Sequence, residues 1–170
     1  LLLSMAVSIR TQDARKEITR AFYVKEGITL ESDTRYSDVE IINWDKDVID
    51  VFAEIEVDAS SKARAEERLQ KINVNIDKSG NTVIVETEFD DGWSRNAKVD
   101  IHIMVKVPAY INLELESHYG DIYLQAIEGL SLMEIQYGNL VAGSLDRGNE
   151  KPYNVLEMAY SDAVIESAGW

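Results

Sequence analysis

Chemistry in this chain of 170 residues has to come from carboxylates, hydroxyls and aromatic rings, because it contains no Cys and only two His. Without Cys there is no disulfide, no thiolate metal site and no Cys nucleophile. His102 lies between Ile101 and Ile103 at a polar strand position, and His118 precedes Tyr119. Both are expected to be exposed, and neither has an acid or hydroxyl at a spacing that would make it a catalytic base. Asp90 and Asp91 before Gly92 lack the spacing of a helix-loop-helix calcium loop, so they read as a solvated acidic loop. Ala142-Gly143-Ser144-Leu145 lacks the second glycine of a nucleophile elbow. Nor does any glycine-rich phosphate loop occur. No catalytic residue, metal-ligand set or cofactor is assigned.

Two groups remain as candidate ligand contacts. Asp121, Asn139 and Asp162, with Asp38, recur at equivalent places in a repeat described below. If those places stack, their oxygens form a row that could hold calcium or sugar hydroxyls, although turn capping explains the same residues without a ligand. Trp93, in the polar segment DDGWSRN, is the best aromatic candidate for a ligand contact. Trp44 and Trp170 are further candidates for stacking on sugars, with Trp44 expected to cover the core beside its strand.

Charge narrows the partner. Asp plus Glu number 31 against 17 Lys plus Arg, a net charge of −14. Such a surface repels phosphate backbones and anionic headgroups, which argues against nucleic acid. From residue 101 onward 3 basic residues face 10 acidic ones, 3 − 10 = −7, so a partner there is a cation, a neutral glycan or a basic protein patch.

The elements that carry these residues are mostly strands. Val51, Ala53, Ile55 and Val57 alternate with Phe52, Glu54 and Glu56, and Val99 through Val107 alternates in the same way up to Pro108. Val74 and Ile76 lead through DKSGN to Val83 and Val85, a hairpin turning at Gly80-Asn81. Ala59 to Ile72 reads as an amphipathic helix, with Ser60 or Ser61 as N-cap and a thin apolar stripe of Ala63, Ala65, Leu69 and Ile72. The helix and hairpin, about 59–89, read as an insertion. Residues 1–9, LLLSMAVSI, are too short to span a membrane, and with the polar run after them residues 1–16 read as a signal-peptide remnant or disordered N-terminus. A first β-strand is the alternative there. The strand-like run ending at Trp170 reads as a truncated C-terminus.

A repeat sets the expected fold. Tyr, then Gly or Ser, then Asp or Asn, then an aliphatic or small residue occurs at Tyr36-Ser37-Asp38-Val39, Tyr119-Gly120-Asp121-Ile122, Tyr137-Gly138-Asn139-Leu140 and Tyr160-Ser161-Asp162-Ala163. Apolar or small residues alternate on both sides of each, so every unit is strand, corner, strand. The glycine is expected to supply the positive φ of the corner, and each Tyr ring to stack on the next. The fold class is therefore mainly all-β: a right-handed β-helix or β-prism-like solenoid over 17–170, with one short inserted helix and a hairpin.

Taken in order, the segments AFYVKEG and ITLES, the Tyr-Ser-Asp corner, VEIINWDKDVIDVFAEIEV, the helix, the hairpin, the strand ending at Val107-Pro108 and LELESHYGDIYL resemble the putative-adhesin domain family of Bacteroidetes-type bacteria. That family is of unknown function and related to the head-GIN domain. The resemblance implies export, a β-helical or prism-like fold and the label adhesin, but no catalytic residue. Ser37 and Ser161 depart from it, standing where the family has Gly. The expected function is a non-enzymatic exported domain, at the outer surface, in the periplasm or secreted, that presents a repetitive surface to a glycan or protein. The alternatives are a periplasmic structural or envelope-signalling module and, from another class, a β-helical polysaccharide-degrading enzyme.

Overall fold

The computed structural model describes residues 13–93, 98–148 and 150–169. Expectations for the apolar segment 1–9 and for Trp170 lie outside these residues. The described residues form thirteen strands and one helix: β1 (Asp13–Tyr23), β2 (Thr29–Arg35), β3 (Ser37–Asn43), β4 (Val48–Asp58), α1 (Lys62–Leu69), β5 (Ile72–Ser79), β6 (Thr82–Phe89), β7 (Lys98–Val107), β8 (Asn112–His118), β9 (Ile122–Ile127), β10 (Ser131–Gln136), β11 (Leu140–Leu145), β12 (Val155–Ala159) and β13 (Ala163–Ala168). The protein is mainly β, as the alternation implies. The first described strand, β1, takes in residues 13–16, so part of the segment read as an N-terminal remnant is paired in the sheet.

The strands make two mixed sheets, a seven-stranded one in the order β1-β4-β7-β3-β9-β11-β13 and a six-stranded one in the order β12-β10-β8-β2-β6-β5. The chain passes from the smaller sheet to the larger at each corner, giving four rungs, β2/β3, β8/β9, β10/β11 and β12/β13, whose strands are parallel within each sheet. A fifth rung, β6/β7, pairs parallel with β2 and β3. The hairpin β5–β6 is thus part of the smaller sheet and not an insertion. Beyond β6/β7 the pairing turns antiparallel: β4 on β7, β1 on β4 and β5 on β6.

Period-2 alternation puts one apolar set from each sheet into a shared core. One inner row of the larger sheet runs Val51, Val105, Ile41, Leu124, Ala142, Ile165, each the register partner of the next. Its counterpart in the smaller sheet runs Ile76, Val85, Ser32, Leu115, Met133, Leu156.

The helix is shorter than its pattern. Ser61 is the N-cap, its hydroxyl accepting from the backbone N–H of Arg64, and Ala65 is the buried residue of the helix. Ala63 is exposed, and Ile72 already belongs to β5, where pairing with Phe89 and full burial hold it. No helix among the described residues is long and apolar enough to cross a membrane.

Candidate functional site

The repeated corners come together along one edge of the rungs. Tyr36, Tyr119, Tyr137 and Tyr160 form a column of stacked rings, with centroids 5.1, 4.8 and 4.9 Å apart and planes within 11°, 4° and 3°. The column continues at the other end into Phe89 and Trp93, which lie 5.7 and 5.2 Å from the Tyr36 ring. In the register of β2 and β6, Asp33 stands beside Glu86, so Phe89 holds in its rung the place that Tyr36 holds in the next.

The left-handed residue of each corner is the tyrosine, with φ of 55°, 62°, 57° and 56° at Tyr36, Tyr119, Tyr137 and Tyr160. This corrects the expectation that glycine supplies the positive φ. Gly120 and Gly138 are required for a different reason. A Cβ on Gly120 would stand 1.9 Å from the Ser37 carbonyl oxygen, and one on Gly138 would stand 1.9 Å from that of Gly120. Ser37 and Ser161 occupy the first and last of the four corners. There each hydroxyl donates to a backbone carbonyl, Arg35 for Ser37 at 2.8 Å and Ala159 for Ser161 at 2.9 Å. Serine at these positions therefore does not loosen a positive-φ corner.

Asp38, Asp121, Asn139 and Asp162 do line up, as a hydrogen-bond ladder between rungs. Asp38 Oδ1 accepts from the Asp121 N–H at 2.9 Å, Asp121 Oδ1 from the Asn139 N–H at 2.8 Å, and Asn139 Oδ1 from the Asp162 N–H at 3.4 Å. Asp38, Asp121 and Asn139 each cap the backbone of the following corner, which is turn capping carried across rungs rather than within one. Among the described residues no three His, Asp or Glu side chains are placed to hold a metal ion.

Trp93 is half-buried and packs against the core. Its ring is 4.6 Å from Phe89, and its Nε1 is buried. Trp44 donates from Nε1 to the Val48 carbonyl at 2.7 Å, and the ammonium groups of Lys46 and Lys106 lie over its ring. Both histidines acquire acid partners that sequence spacing did not reveal. His118 Nε2 is 2.9 Å from Glu116 Oε1, and His102 Nε2 is 3.8 Å from Glu40 Oε2. His118 is also half-buried rather than exposed.

The most regular polar feature lies on the outer face of the smaller sheet. Glu86, Asp33, Glu116, Glu134 and Glu157 are register partners on five consecutive strands, with Glu31 and Glu114 in the adjacent row. They line a shallow groove together with Leu132 and Val155. Strands about 4.8 Å apart put these carboxylates side by side, where like charges repel. Burial pushes the Asp33 carboxyl above the ordinary range, and the Glu116 charge pushes it the same way. The row is written in the repeat: Asp33, Glu116, Glu134 and Glu157 each stand three residues before a corner tyrosine. Attention to the apolar positions before each tyrosine passes over it.

The outer face of the larger sheet carries a second row, apolar except for Glu40. Phe52, Met104, Glu40, Tyr123, Val141 and Val164 are successive register partners, and the last three are 45%, 44% and 61% exposed.

No protein-family profile and no curated protein matches this chain. Several solved structures are similar to it in backbone, among them the following three. A putative cell adhesion protein from Clostridium sporogenes is 9% identical, covers 89% of this chain and 99% of its own, and has a TM-score of 0.42. A putative adhesin from Parabacteroides merdae is 14% identical over 90% of this chain, TM-score 0.41, and another from Parabacteroides distasonis is 10% identical over 88%, TM-score 0.38. The chain spans 57% and 56% of the length of those two.

Proposed function

We propose that this chain is a non-enzymatic binding domain that works outside the cytoplasm, an adhesin of the kind its sequence resembles, built as a β-helical solenoid. The observation that carries the reading is the in-register repetition of outward side chains on consecutive rungs. Hydrogen-bonded parallel strands hold those rows rigid, so a partner meets a preorganised surface and little ordering entropy is lost on binding.

The sign of the outer row on the smaller sheet supports a basic protein patch as partner in preference to a glycan. A cationic surface laid along Glu86, Asp33, Glu116, Glu134 and Glu157 relieves their mutual repulsion. Sugars bind aromatic faces, and the faces of the column tyrosines are covered by one another from Tyr36 to Tyr137.

The experiment is surface binding of the chain and its Glu116→Gln/Glu134→Gln variant to a cationic polypeptide and to an array of neutral glycans, at low and high salt. The expected result is saturable, salt-sensitive binding to the cationic probe that weakens by about tenfold in the variant, a charge-contact effect. Equal binding by both proteins, or binding confined to neutral glycans, overturns the partner class. Turnover of a polysaccharide overturns the non-enzymatic reading. Protease shaving of intact host cells tests exposure at the surface: protection until the envelope is breached favours the periplasmic alternative.

A further inference from the structure

A second groove lies on the outer face of the larger sheet, where two rows cross β7, β3, β9 and β11. The row nearer the corners runs His102, Asp38, Asp121, Asn139. Two residues further along each strand, the other runs Met104, Glu40, Tyr123, Val141. All but Met104 line a groove of about 360 Å³. At its centre is a quartet of neighbours in which three places are carboxylates, Asp38, Glu40 and Asp121, and the fourth is the Tyr123 ring. Val141 extends the apolar floor beside that ring.

The three carboxylates are poorly compensated. No Lys or Arg lines the groove, and among the described residues none pairs with Asp38, Glu40 or Asp121. Glu40 faces His102 at 3.8 Å. Asp38 and Asp121 are held in place by the corner ladder through Oδ1, and Oδ2 of each makes no hydrogen bond within the described residues. Carboxylates fixed in this way lose little rotamer freedom when they meet a ligand. Tyr123 differs from the column tyrosines in having no ring or ammonium group over its faces among the described residues.

This combination selects a chemistry. Uncompensated carboxylates favour a positive charge, and an exposed ring beside a branched aliphatic side chain favours a flat apolar body. An ammonium group next to a tyrosine ring is attracted by the ring as well. A bare metal ion would leave the apolar floor uncovered, and no three acids here are placed to coordinate one. A neutral sugar would cover the ring but leave the carboxylate charges unrelieved.

We propose that this groove binds a small organic cation, an arylalkylammonium ion, with its ring on Tyr123 and Val141 and its ammonium group among Asp38, Glu40 and Asp121. The site is on the other sheet from the acidic row and does not depend on what binds there.

The test is an NMR titration of the chain with phenethylammonium, set against phenethyl alcohol as its neutral isostere, phenylacetate as an anion, and galactose. Saturable shifts at Tyr123 and Val141 are expected with phenethylammonium, with a dissociation constant on the order of 1 mM for so small a ligand. The alcohol is expected to bind about tenfold more weakly, and phenylacetate and galactose not to saturate. Asp38→Asn/Glu40→Gln keeps the ladder's acceptor while removing two charges, and should weaken phenethylammonium binding about tenfold. Tyr123→Leu keeps an apolar floor and should weaken it about threefold. Unchanged thermal unfolding verifies that these surface variants fold. Glu116→Gln/Glu134→Gln, on the smaller sheet, should leave the titration unchanged, which separates this groove from attraction by net charge. No saturable shift with phenethylammonium, equal binding of the alcohol, saturation by galactose instead, indifference to Asp38→Asn/Glu40→Gln, or equal weakening by Glu116→Gln/Glu134→Gln each overturns the proposal.

Discussion

The rings of Tyr119 and Tyr137 stack 4.8 Å apart with planes 4° from parallel, while both residues hold their backbones in the left-handed region, at φ of 62° and 57°. A left-handed bulky residue costs about 1–2 kcal/mol. Stacking above and below returns about 0.5–1.5 kcal/mol per pair, and only because the ring points along the edge of the rungs, as this backbone turn directs it. Strain and stacking are two sides of one device.

That balance makes two substitutions at one position informative. Tyr137→Ala keeps the strained φ and loses both ring contacts, an expected loss of about 2 kcal/mol. Tyr137→Gly loses the same contacts but relaxes the backbone, so it is expected to be about 1 kcal/mol less destabilising than alanine. Urea denaturation measures both, and an alanine variant more stable than the glycine variant would show that the left-handed backbone stores no strain.

The corner glycines should be intolerant for steric reasons. With a Cβ 1.9 Å from the Ser37 carbonyl oxygen, Gly120→Ala forces two rungs apart. The expected destabilisation is about 3 kcal/mol, the upper part of the range for overpacking. Ser37→Ala, at the first corner, removes only the hydroxyl that donates to the Arg35 carbonyl and should lose about 1 kcal/mol. Comparable losses in thermal unfolding would contradict the close backbone approach.

The ladder of corner side chains predicts an acceptor requirement rather than a charge requirement. Asp121 Oδ1 accepts from the N–H and the Nδ2 of Asn139. Asp121→Ala should therefore lose about 1–2 kcal/mol and Asp121→Asn much less, since the amide carbonyl can replace the carboxylate oxygen. Added calcium should leave the melting temperature of the parent unchanged. A calcium-dependent rise lost in Asp121→Asn would return the row to the list of cation sites.

The acidic row should be visible in the pH and salt dependence of stability. The Asp33 carboxyl titrates above its ordinary value in the folded protein because of its burial and then Glu116. The folded state thus holds this proton more tightly than the unfolded chain, so the contribution is present below the ordinary carboxylate range and is lost as pH rises through the raised value. Asp33→Asn should accordingly raise the melting temperature at neutral pH and have little effect well below it. Added salt should stabilise the parent more than the variant by screening the row. A melting temperature for Asp33→Asn below that of the parent at neutral pH would mean that the carboxylate is stabilised by a contact stronger than its repulsion.

Some of this was legible in the residues and some was not. Strand alternation is a property of neighbouring residues, so β4, β7 and the β5–β6 hairpin could be read from local pattern. The four corners and their stacked tyrosines followed from a repeated tetrapeptide, because identical segments in parallel register bring identical residues together. Which residue of the corner turns left-handed did not follow, since propensity favours glycine and the choice went to tyrosine through contacts between rungs. The true reason for Gly120 lies in the carbonyl of Ser37, a residue 83 positions away by the same register that pairs Asp38 with Asp121.

By itself, then, the sequence determined a mainly β chain with recurring corners and a strongly acidic surface, because period, turn chemistry and charge are carried by residues close together along the chain. Tertiary structure alone decided that β6 and β7 form a rung without the tetrapeptide and lie between β2/β3 and the antiparallel end. It also decided that Phe89 and Trp93 extend the aromatic column beyond Tyr36. Those outcomes depend on which strand edges pair, and pairing is chosen by the whole core at once: a strand's own alternation says which face is buried but not which neighbour it lies beside.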